Sequence, residues 1–157
     1  MLEITLPGRG RTLILKHLLI DLNGTLTNAG KLDELVKSQI IKLKEKLEIY
    51  LLTADTYGTA KLISEELGIK LIEVDAINGG QDKRLFLHQL NAQEAVAIGN
   101  GFNDIEMLAE ANLSIVIMGQ EGCALPALLQ ADIAVTNIKD ALDLLLNPER
   151  IIATLRA

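Results

Sequence analysis

Four segments of the chain combine side chains that can do chemistry, and each lies downstream of a short apolar run. They are residues 21–27 (DLNGTLT), 51–55 (LLTAD), 81–84 (QDKR) and 98–104 (IGNGFND). In doubly wound α/β proteins, ligands bind outside the carboxyl ends of the strands. We therefore expect these carboxylate, hydroxyl, amide and ammonium groups to meet around one ligand, and an anion suits them best.

The first segment begins with Asp21, directly after the run 17–20 (HLLI). A carboxylate at the end of a buried strand is costly unless it is paired or used. Gly24 permits a tight loop, and the backbone amides of such a loop can converge on a bound anion. The alternative is an ordinary Asx-type turn, because the pair Asn23 and Gly24 is a common turn signal.

Thr53 and Lys83 each stand near the start of a predicted helix. The Thr53 hydroxyl can bind a phosphoryl oxygen beside the unpaired N–H groups of the helix, although a simple helix cap is the alternative. Lys83 lies where a cation opposes the helix dipole. If it faces the strand ends, it can neutralise a carboxylate and a transferring phosphoryl group; the alternative is a solvated lysine.

The fourth segment is the most specific in composition. Two glycines, two amides and one acid lie in residues 99–104, between a predicted strand and a predicted helix. A dinucleotide-binding glycine loop has similar residues, but here the third glycine is missing and the segment lies late in the chain. We therefore set the dinucleotide hypothesis aside.

Taken together, the four segments resemble the four motifs of the haloacid dehalogenase superfamily of phosphohydrolases. DLNGTLT, LLTAD, the DK pair before a helix and GNGFNDIEML match these motifs in order and in spacing. The last segment is most similar to the phosphorylation domain of P-type ATPases and to their small soluble relatives. Capless sugar-acid phosphatases of the octulosonate type share the same compact layout.

The resemblance implies that Asp21 attacks a phosphomonoester and forms an aspartyl-phosphate that water then hydrolyses. It also implies a Mg²⁺ cofactor. The cation's ligands by family analogy are the Asp21 carboxylate, the backbone carbonyl of Asn23 and the side chain of Asn100, with Asp104 as a direct or water-mediated acid.

The same resemblance implies a phosphate-binding set. Thr53, Ala54 and the loop amides at Asn23 and Gly24 would hold phosphoryl oxygens. Lys83 would offset negative charge on the nucleophile and on the transition state.

Two positions depart from the family pattern. Most phosphatases of the family have an aspartate two residues after the nucleophile, as general acid and base, whereas this chain has Asn23. General acid–base catalysis contributes about 10²–10⁴ in rate, so we expect slow turnover. Asn100 stands where a metal-binding aspartate is usual, and the lost charge is expected to weaken Mg²⁺ binding.

These departures leave a second hypothesis open. The chain can be a catalytically degenerate member that binds a phosphorylated partner or a subunit through the same crevice. A receiver domain of a two-component system also has a phosphorylatable aspartate and a lysine, but it needs acidic residues at its first strand. Glu and Asp are absent from residues 16–20, which argues against that class.

The elements that must position these residues follow from alternating apolar and amphipathic stretches. A hairpin over residues 2–6 and 12–16 is predicted to precede the strands of the main sheet. The fold class is α/β, with one doubly wound, mainly parallel sheet and an N-terminal hairpin extension, in a single domain over residues 1–157. The predicted strands are 17–21, 48–53, 69–74, 95–99, 114–118 and 133–136.

The predicted helices lie between these strands. Leu32, Leu35, Val36, Ile40, Leu43 and Leu47 are expected on one helical stripe. A second helix is expected from about Asp55 or Thr56 to Gly68. Later helices are predicted from about 82 past 90, over 103–111, over 122–130 and after 138.

The intervals between the motifs are too short for a cap domain. Only 20 residues separate Thr27 from Glu48, and 29 separate Thr53 from Lys83. A cap needs roughly 50 residues or more. We therefore expect a solvent-open crevice, unless a second subunit covers it in a homo-oligomer that uses the hairpin.

Composition limits the class of partner. The 157 residues carry a net charge of −6, include one cysteine and are 49% hydrophobic. The acidic balance argues against nucleic-acid and anionic-membrane binding, and the lone cysteine excludes an internal disulfide. No export signal or membrane-length apolar run is evident, so we expect a cytoplasmic protein whose partner is a small phosphorylated substrate or a phosphoprotein.

Overall fold

The computed structural model describes residues 1–27, 30–55 and 58–157. It contains a two-stranded antiparallel hairpin and a six-stranded, fully parallel sheet. The strands are β1 (Leu2–Leu6), β2 (Arg11–Leu15), β3 (His17–Asp21), β4 (Glu48–Thr53), β5 (Lys70–Glu73), β6 (Ala95–Gly99), β7 (Leu113–Ile117) and β8 (Ile133–Val135). The helices are α1 (Glu34–Leu43), α2 (Thr59–Leu67), α3 (Gly79–Gln89), α4 (Ile105–Glu110), α5 (Leu125–Gln130), α6 (Ile138–Leu146) and α7 (Pro148–Leu155).

The large sheet has the order β5-β4-β3-β6-β7-β8. The chain first builds outward from β3 to β5 and then returns to the other side of β3 to build β6 to β8. The winding therefore reverses between β3 and β6, which is where doubly wound folds bind their ligands. This arrangement confirms the predicted α/β class and places the first and fourth motifs side by side.

Strand β3 is buried on both of its faces. Leu18 and Ile20 pack with α1, α2, α6 and α7, while Leu19 packs on the opposite face with α3, α4 and α5. Burial on both faces is the reason that this strand is almost entirely apolar. Asp21 is the last residue of β3, so its carboxylate lies at the carboxyl edge of the sheet, where the buried apolar part of the strand ends.

The hairpin forms its own small sheet and contributes to the main core. Alternate side chains of β1 and β2 are buried in the core that also contains α1, α2, α6 and α7; these are Leu2, Ile4, Leu6, Leu13 and Leu15. The end of the chain packs against the hairpin turn, because the backbone N–H of Ala157 donates to the carbonyl of Pro7 at 3.1 Å. The predicted N-terminal extension is thus an integral part of the packing.

Three details of the helices differ from expectation. Leu35 is 52% exposed, because the buried stripe of α1 runs through Val36, Ile40 and Leu43 and Leu35 lies to one side of it. Helix α3 begins at Gly79, one turn earlier than predicted. Helix α2 begins at Thr59 rather than near Asp55, and the other predicted start, Thr56, lies outside the described residues.

The connections that follow β3 and β4 contain only α1 and α2 with their loops. The described residues therefore include no cap domain at either position, as predicted. Within the same ranges, no helix is both long and apolar enough to span a membrane.

Candidate active site

A cleft of about 450 Å³ opens at the carboxyl edge of the large sheet. The loops after β3, β4, β6 and β7 form its walls. Its lining residues are Asp21, Asn23, Thr53, Ala54, Asp55, Asn100, Gly101, Asn103 and Glu121. The fold thus brings the first, second and fourth motifs together around one space.

Lys83, the residue of the third motif on α3, contacts the cleft through the lining residue Asp21. Its Nζ donates to Oδ1 of Asp21 and to Oδ1 of Asp104, each at 2.7 Å. Lys83 and Asp104 are both 0% exposed. The alternative of a solvated lysine is therefore wrong: α3 buries this ammonium between two carboxylates, the arrangement that a buried charge needs.

Burial and the neighbouring charges change the pKa values of Asp21 and Lys83. Burial raises the pKa of Asp21 to about 6, the charge of Asp104 adds to the rise, and the Lys83 ammonium opposes it. Burial alone would lower the pKa of Lys83, but the two carboxylates outweigh burial and raise it. At neutral pH the cluster accordingly holds an ionised Asp21 next to a fixed positive charge.

Asp104 anchors the fourth motif. Its Oδ2 accepts hydrogen bonds from the backbone N–H groups of Asn100 and Gly101, both at 2.9 Å, while Oδ1 accepts from Lys83. A Cβ at Gly99 would lie 2.5 Å from Cγ of Asp104, so only glycine allows this approach. Both carboxylate oxygens are therefore engaged beneath the cleft, which favours a positioning role over the metal-ligand role expected from the resemblance.

The loop after β3 is a tight turn as well as a cleft wall. The N–H of Leu26 donates to the carbonyl of Asp21 at 3.2 Å, and Gly24 has a φ of +72°. A Cβ at Gly24 would collide with Oε2 of Glu121 and would lie 2.7 Å from Nδ2 of Asn100. The turn and anion-loop interpretations of this segment are thus compatible, because one backbone serves both.

The loop after β4 likewise has two roles. Oγ1 of Thr53 accepts from the N–H of Asp55 at 3.0 Å, and Oδ2 of Asp55 accepts from the N–H of Ala60 at 3.2 Å near the start of α2. Thr53 is buried, yet it lines the cleft together with Ala54. The helix-cap alternative for Thr53 is therefore wrong: its hydroxyl closes a local turn, and α2 has Gly58 as its N-cap with no side-chain hydrogen bond.

Comparison with known proteins agrees with these motifs. The sequence profile of the haloacid dehalogenase-like hydrolase family matches residues 83–136. An uncharacterized protein of Methanocaldococcus jannaschii is 48% identical over 64 residues, which cover 41% of this chain and 69% of that protein. The soluble P-type ATPase-like phosphatase of the same organism is 27% identical over 140 residues, which cover 87% of this chain and 51% of that protein.

The chain belongs to the haloacid dehalogenase superfamily. It spans about half the length of the P-type ATPase-like relative. Among solved structures, the cobalt-bound deoxy-D-mannose-octulosonate 8-phosphate phosphatase of Haemophilus influenzae superposes with a TM-score of 0.72 at 15% identity, covering 91% of this chain and 94% of that one. This likeness shows that the two proteins share a haloacid dehalogenase fold.

Four residues that line the cleft had no predicted role in the site. Asp55, Gly101 and Asn103 belong to the second and fourth segments, and Glu121 lies outside all four segments. Glu121 is in a turn after β7, closed by the hydrogen bond from the N–H of Gly122 to the carbonyl of Gly119 at 2.9 Å. The rule that polar residues follow strand ends would have found it, because residues 113–117 form an apolar strand.

A hard divalent cation fits the oxygen donors of the cleft. Only Oδ1 of Asp21 accepts from Lys83, and Oδ1 of Asn100 accepts from the Thr25 hydroxyl at 3.0 Å. Since a hydroxyl can also accept, the amide of Asn100 can rotate, present Oδ1 to the cleft and keep its bond to Thr25. Mg²⁺ is usually held by one or two carboxylates with several waters, so this donor set suits it.

Proposed function

We propose that the chain is a divalent-cation-dependent phosphohydrolase that acts on phosphomonoesters through an aspartyl-phosphate at Asp21. One observation carries the proposal. The carboxylate of Asp21 stands at the end of the central strand, faces the cleft, and is held at 2.7 Å by the buried ammonium of Lys83. A carboxylate oriented in this way is a suitable nucleophile for phosphoryl transfer.

The chemistry proceeds in two displacements. An oxygen of Asp21 attacks phosphorus, the bond from phosphorus to the ester oxygen breaks, and the leaving oxygen takes a proton from solvent. Water then attacks the aspartyl-phosphate, which releases inorganic phosphate and restores the carboxylate. The buried charge of Lys83 keeps Asp21 ionised and offsets negative charge that develops on the phosphoryl group.

The phosphoryl oxygens are proposed to lie between the loops after β3 and β4. Asn23, Thr53 and Ala54 line this part of the cleft, and the adjacent backbone amide of Gly24 is proposed to complete the phosphate site. Lys83 is beneath the cleft, so its contribution to phosphate binding acts through Asp21.

Mg²⁺ is the proposed cofactor. Asp21, the carbonyl of Asn23 and the side chain of Asn100 would hold it, and Asp104 would orient the loop that carries Asn100. When bound, the cation neutralises charge on the phosphoryl group and aligns it with the nucleophile. The octulosonate phosphatase that shares this fold was solved with bound cobalt, which supports a divalent cation as the cofactor.

The slow step is proposed to be release of the phosphoryl group. Asn23 cannot exchange a proton, so neither the leaving oxygen nor the attacking water receives general acid–base help from that position. Esters with good leaving groups should be least affected in the first displacement. The aspartyl-phosphate should therefore accumulate.

The cleft has no cap within the described residues, so the proposed substrates include small phosphate esters and phosphoproteins. We propose that residues 1–157 act as one domain, because the hairpin and helix α7 share one core with the sheet. A cytoplasmic location and a homo-oligomer that covers the cleft belong to the same proposal.

A second candidate function is a catalytically degenerate protein that binds phosphorylated ligands. The observation that favours it is the pair of amides, Asn23 and Asn100, at two positions that are acids in most phosphatases of the family. Phosphate binding without turnover, unaffected by Mg²⁺, would support this candidate.

The deciding experiment is mass spectrometry of the intact chain after incubation with acetyl phosphate or 4-nitrophenyl phosphate and Mg²⁺. The wild-type chain is expected to gain one phosphoryl group, which hydroxylamine removes. The matched control is Asp21→Asn, which keeps a hydrogen-bond acceptor for Lys83 but lacks the nucleophile. Equal behaviour of the two proteins would refute the proposed enzyme.

A further inference from the structure

We propose that Glu121 supplies the second carboxylate of the divalent-cation site, in place of the acid that is absent at Asn100. The inference rests on the proposed function, since it concerns the cation of that same cleft. It assigns a role to a residue outside the four motifs.

Glu121 reaches the cleft from a rigid support. The turn that carries it follows β7 and is closed by the bridge between Gly119 and Gly122. Just beyond the turn, the N–H of Ala124 donates to the carbonyl of Asn100 at 2.9 Å. The loop of Glu121 and the loop of Asn100 are therefore held together by their backbones, and both side chains line the cleft that contains Asp21.

The Glu121 carboxylate and the Asn100 amide approach the same point above Gly24. A Cβ built at Gly24 would collide with Oε2 of Glu121 and would lie 2.7 Å from Nδ2 of Asn100. Asn100 is only 8% exposed, and its Oδ1 accepts from the Thr25 hydroxyl. The nearly buried amide of Asn100 therefore borders, through its Nδ2, the same space above Gly24 as the Glu121 carboxylate.

The identity of residue 100 and the presence of Glu121 depend on each other electrostatically. An aspartate at position 100 would place a second negative charge against the Glu121 carboxylate, which costs free energy unless a cation separates the two. With Asn100, Glu121 and Asp21 provide two carboxylates in the cleft. That number is sufficient for Mg²⁺, which takes one or two carboxylates and retains waters.

The expected consequence is loss of cation affinity on neutralising Glu121. Mn²⁺ bound to the metal-free chain can be counted by electron paramagnetic resonance and displaced with Mg²⁺, which measures binding without any substrate. Glu121→Gln is expected to weaken binding about 10–100-fold, the range found for groups that tune a metal site. Glu65→Gln, on the exposed face of α2, is the matched control and should leave the affinity unchanged.

A double-mutant cycle makes the test specific. Asn100→Asp in the Glu121→Gln background should restore affinity to within a few-fold of the wild-type chain, because it returns the second carboxylate to the same space. Unchanged affinity in Glu121→Gln, or no recovery in the double variant, would overturn the inference.

The same titration separates this inference from the proposed function. Asp21→Asn should abolish Mn²⁺ binding if the cation site is the proposed one. If Asp21→Asn binds as tightly as the wild-type chain, or the wild-type chain binds no cation, the proposed site fails and the role of Glu121 fails with it. If Asp21→Asn loses binding while Glu121→Gln does not, only the role of Glu121 is wrong.

Discussion

At the scale of single residues, the cleft combines the proposed nucleophile, Asp21, with amides at two positions where most phosphatases of the family have acids. The Lys83 ammonium donates hydrogen bonds to the carboxylates of both Asp21 and Asp104. Asn23 lines the cleft two residues beyond the nucleophile and can only donate or accept hydrogen bonds. This chemistry supports formation of a phosphoenzyme better than its hydrolysis.

Asn23→Asp is therefore expected to accelerate hydrolysis of the aspartyl-phosphate. General acid–base catalysis contributes about 10²–10⁴ in rate, and the variant should gain a substantial part of that range. The measurement is steady-state turnover of 4-nitrophenyl phosphate together with the decay rate of the phosphorylated chain. Asn103→Asp, in the same cleft, is the control, and an unchanged rate in Asn23→Asp would show that another group already transfers the proton.

The raised pKa of Asp21 gives a second prediction, which concerns stability. Its pKa is about 6 in the folded chain and ordinarily 3.8, so the folded state retains a proton that the unfolded state loses. The free energy of unfolding should therefore fall as pH rises from 4 to 6 and stay lower above 6. Asp21→Asn removes this penalty, and the metal-free variant should be more stable at pH 8 by about 1–3 kcal/mol.

Urea unfolding of both proteins in the presence of a chelator checks the prediction at pH 8 and pH 4. The difference should become small at pH 4, where Asp21 is protonated in the folded state and partly protonated in the unfolded state. Excess Mg²⁺ should stabilise the wild-type chain and not the variant, because it binds only the ionised site. If Asp21→Asn is less stable than the wild type at pH 8, ionisation of the buried Asp21 does not lower the free energy of unfolding as predicted.

At the scale of elements, strands were easier to predict than helix boundaries. The strand that ends at Asp21 and the strand 95–99 were predicted with the observed bounds, because a fully buried parallel strand is a continuous apolar run between polar residues. The start of α2 was misplaced because Asp55 has the side chain of a cap but contacts Ala60 across a loop. Leu35 was misplaced because an apolar side chain can lie beside a buried stripe as well as in it.

The hairpin permits a matched test of packing. Ile4 is 1% exposed within the main core, whereas Ile14, on the opposite face of the partner strand, is 40% exposed. Ile4→Ala should lower the free energy of unfolding by about 2–5 kcal/mol, and Ile14→Ala by much less. Urea unfolding followed by circular dichroism should show one transition for both variants. A separate early transition in Ile4→Ala would refute the proposal that hairpin and sheet form one domain.

At the scale of the whole molecule, the strand order creates the site. Lys83 is 62 residues from Asp21 in the chain, and the Asn100 side chain is 75 residues from the Thr25 hydroxyl that it contacts. These groups meet because β6 is placed next to β3 after the chain has crossed back over the sheet. The same crossing puts the loops after β3, β4, β6 and β7 around one cleft, without any further domain in the described residues.

From the order of the motifs and the apolar runs before them, the sequence alone predicted the α/β class, the parallel sheet and the position of Asp21 at the end of a strand. Those features depend on local patterns, because burial selects apolar residues in the strands and strand ends expose polar ones. The burial of Lys83 between Asp21 and Asp104, and the approach of Glu121 to Gly24, were decided only by the tertiary structure. Such contacts join loops that are distant in the chain, and their distances depend on the packing of the whole sheet and its helices.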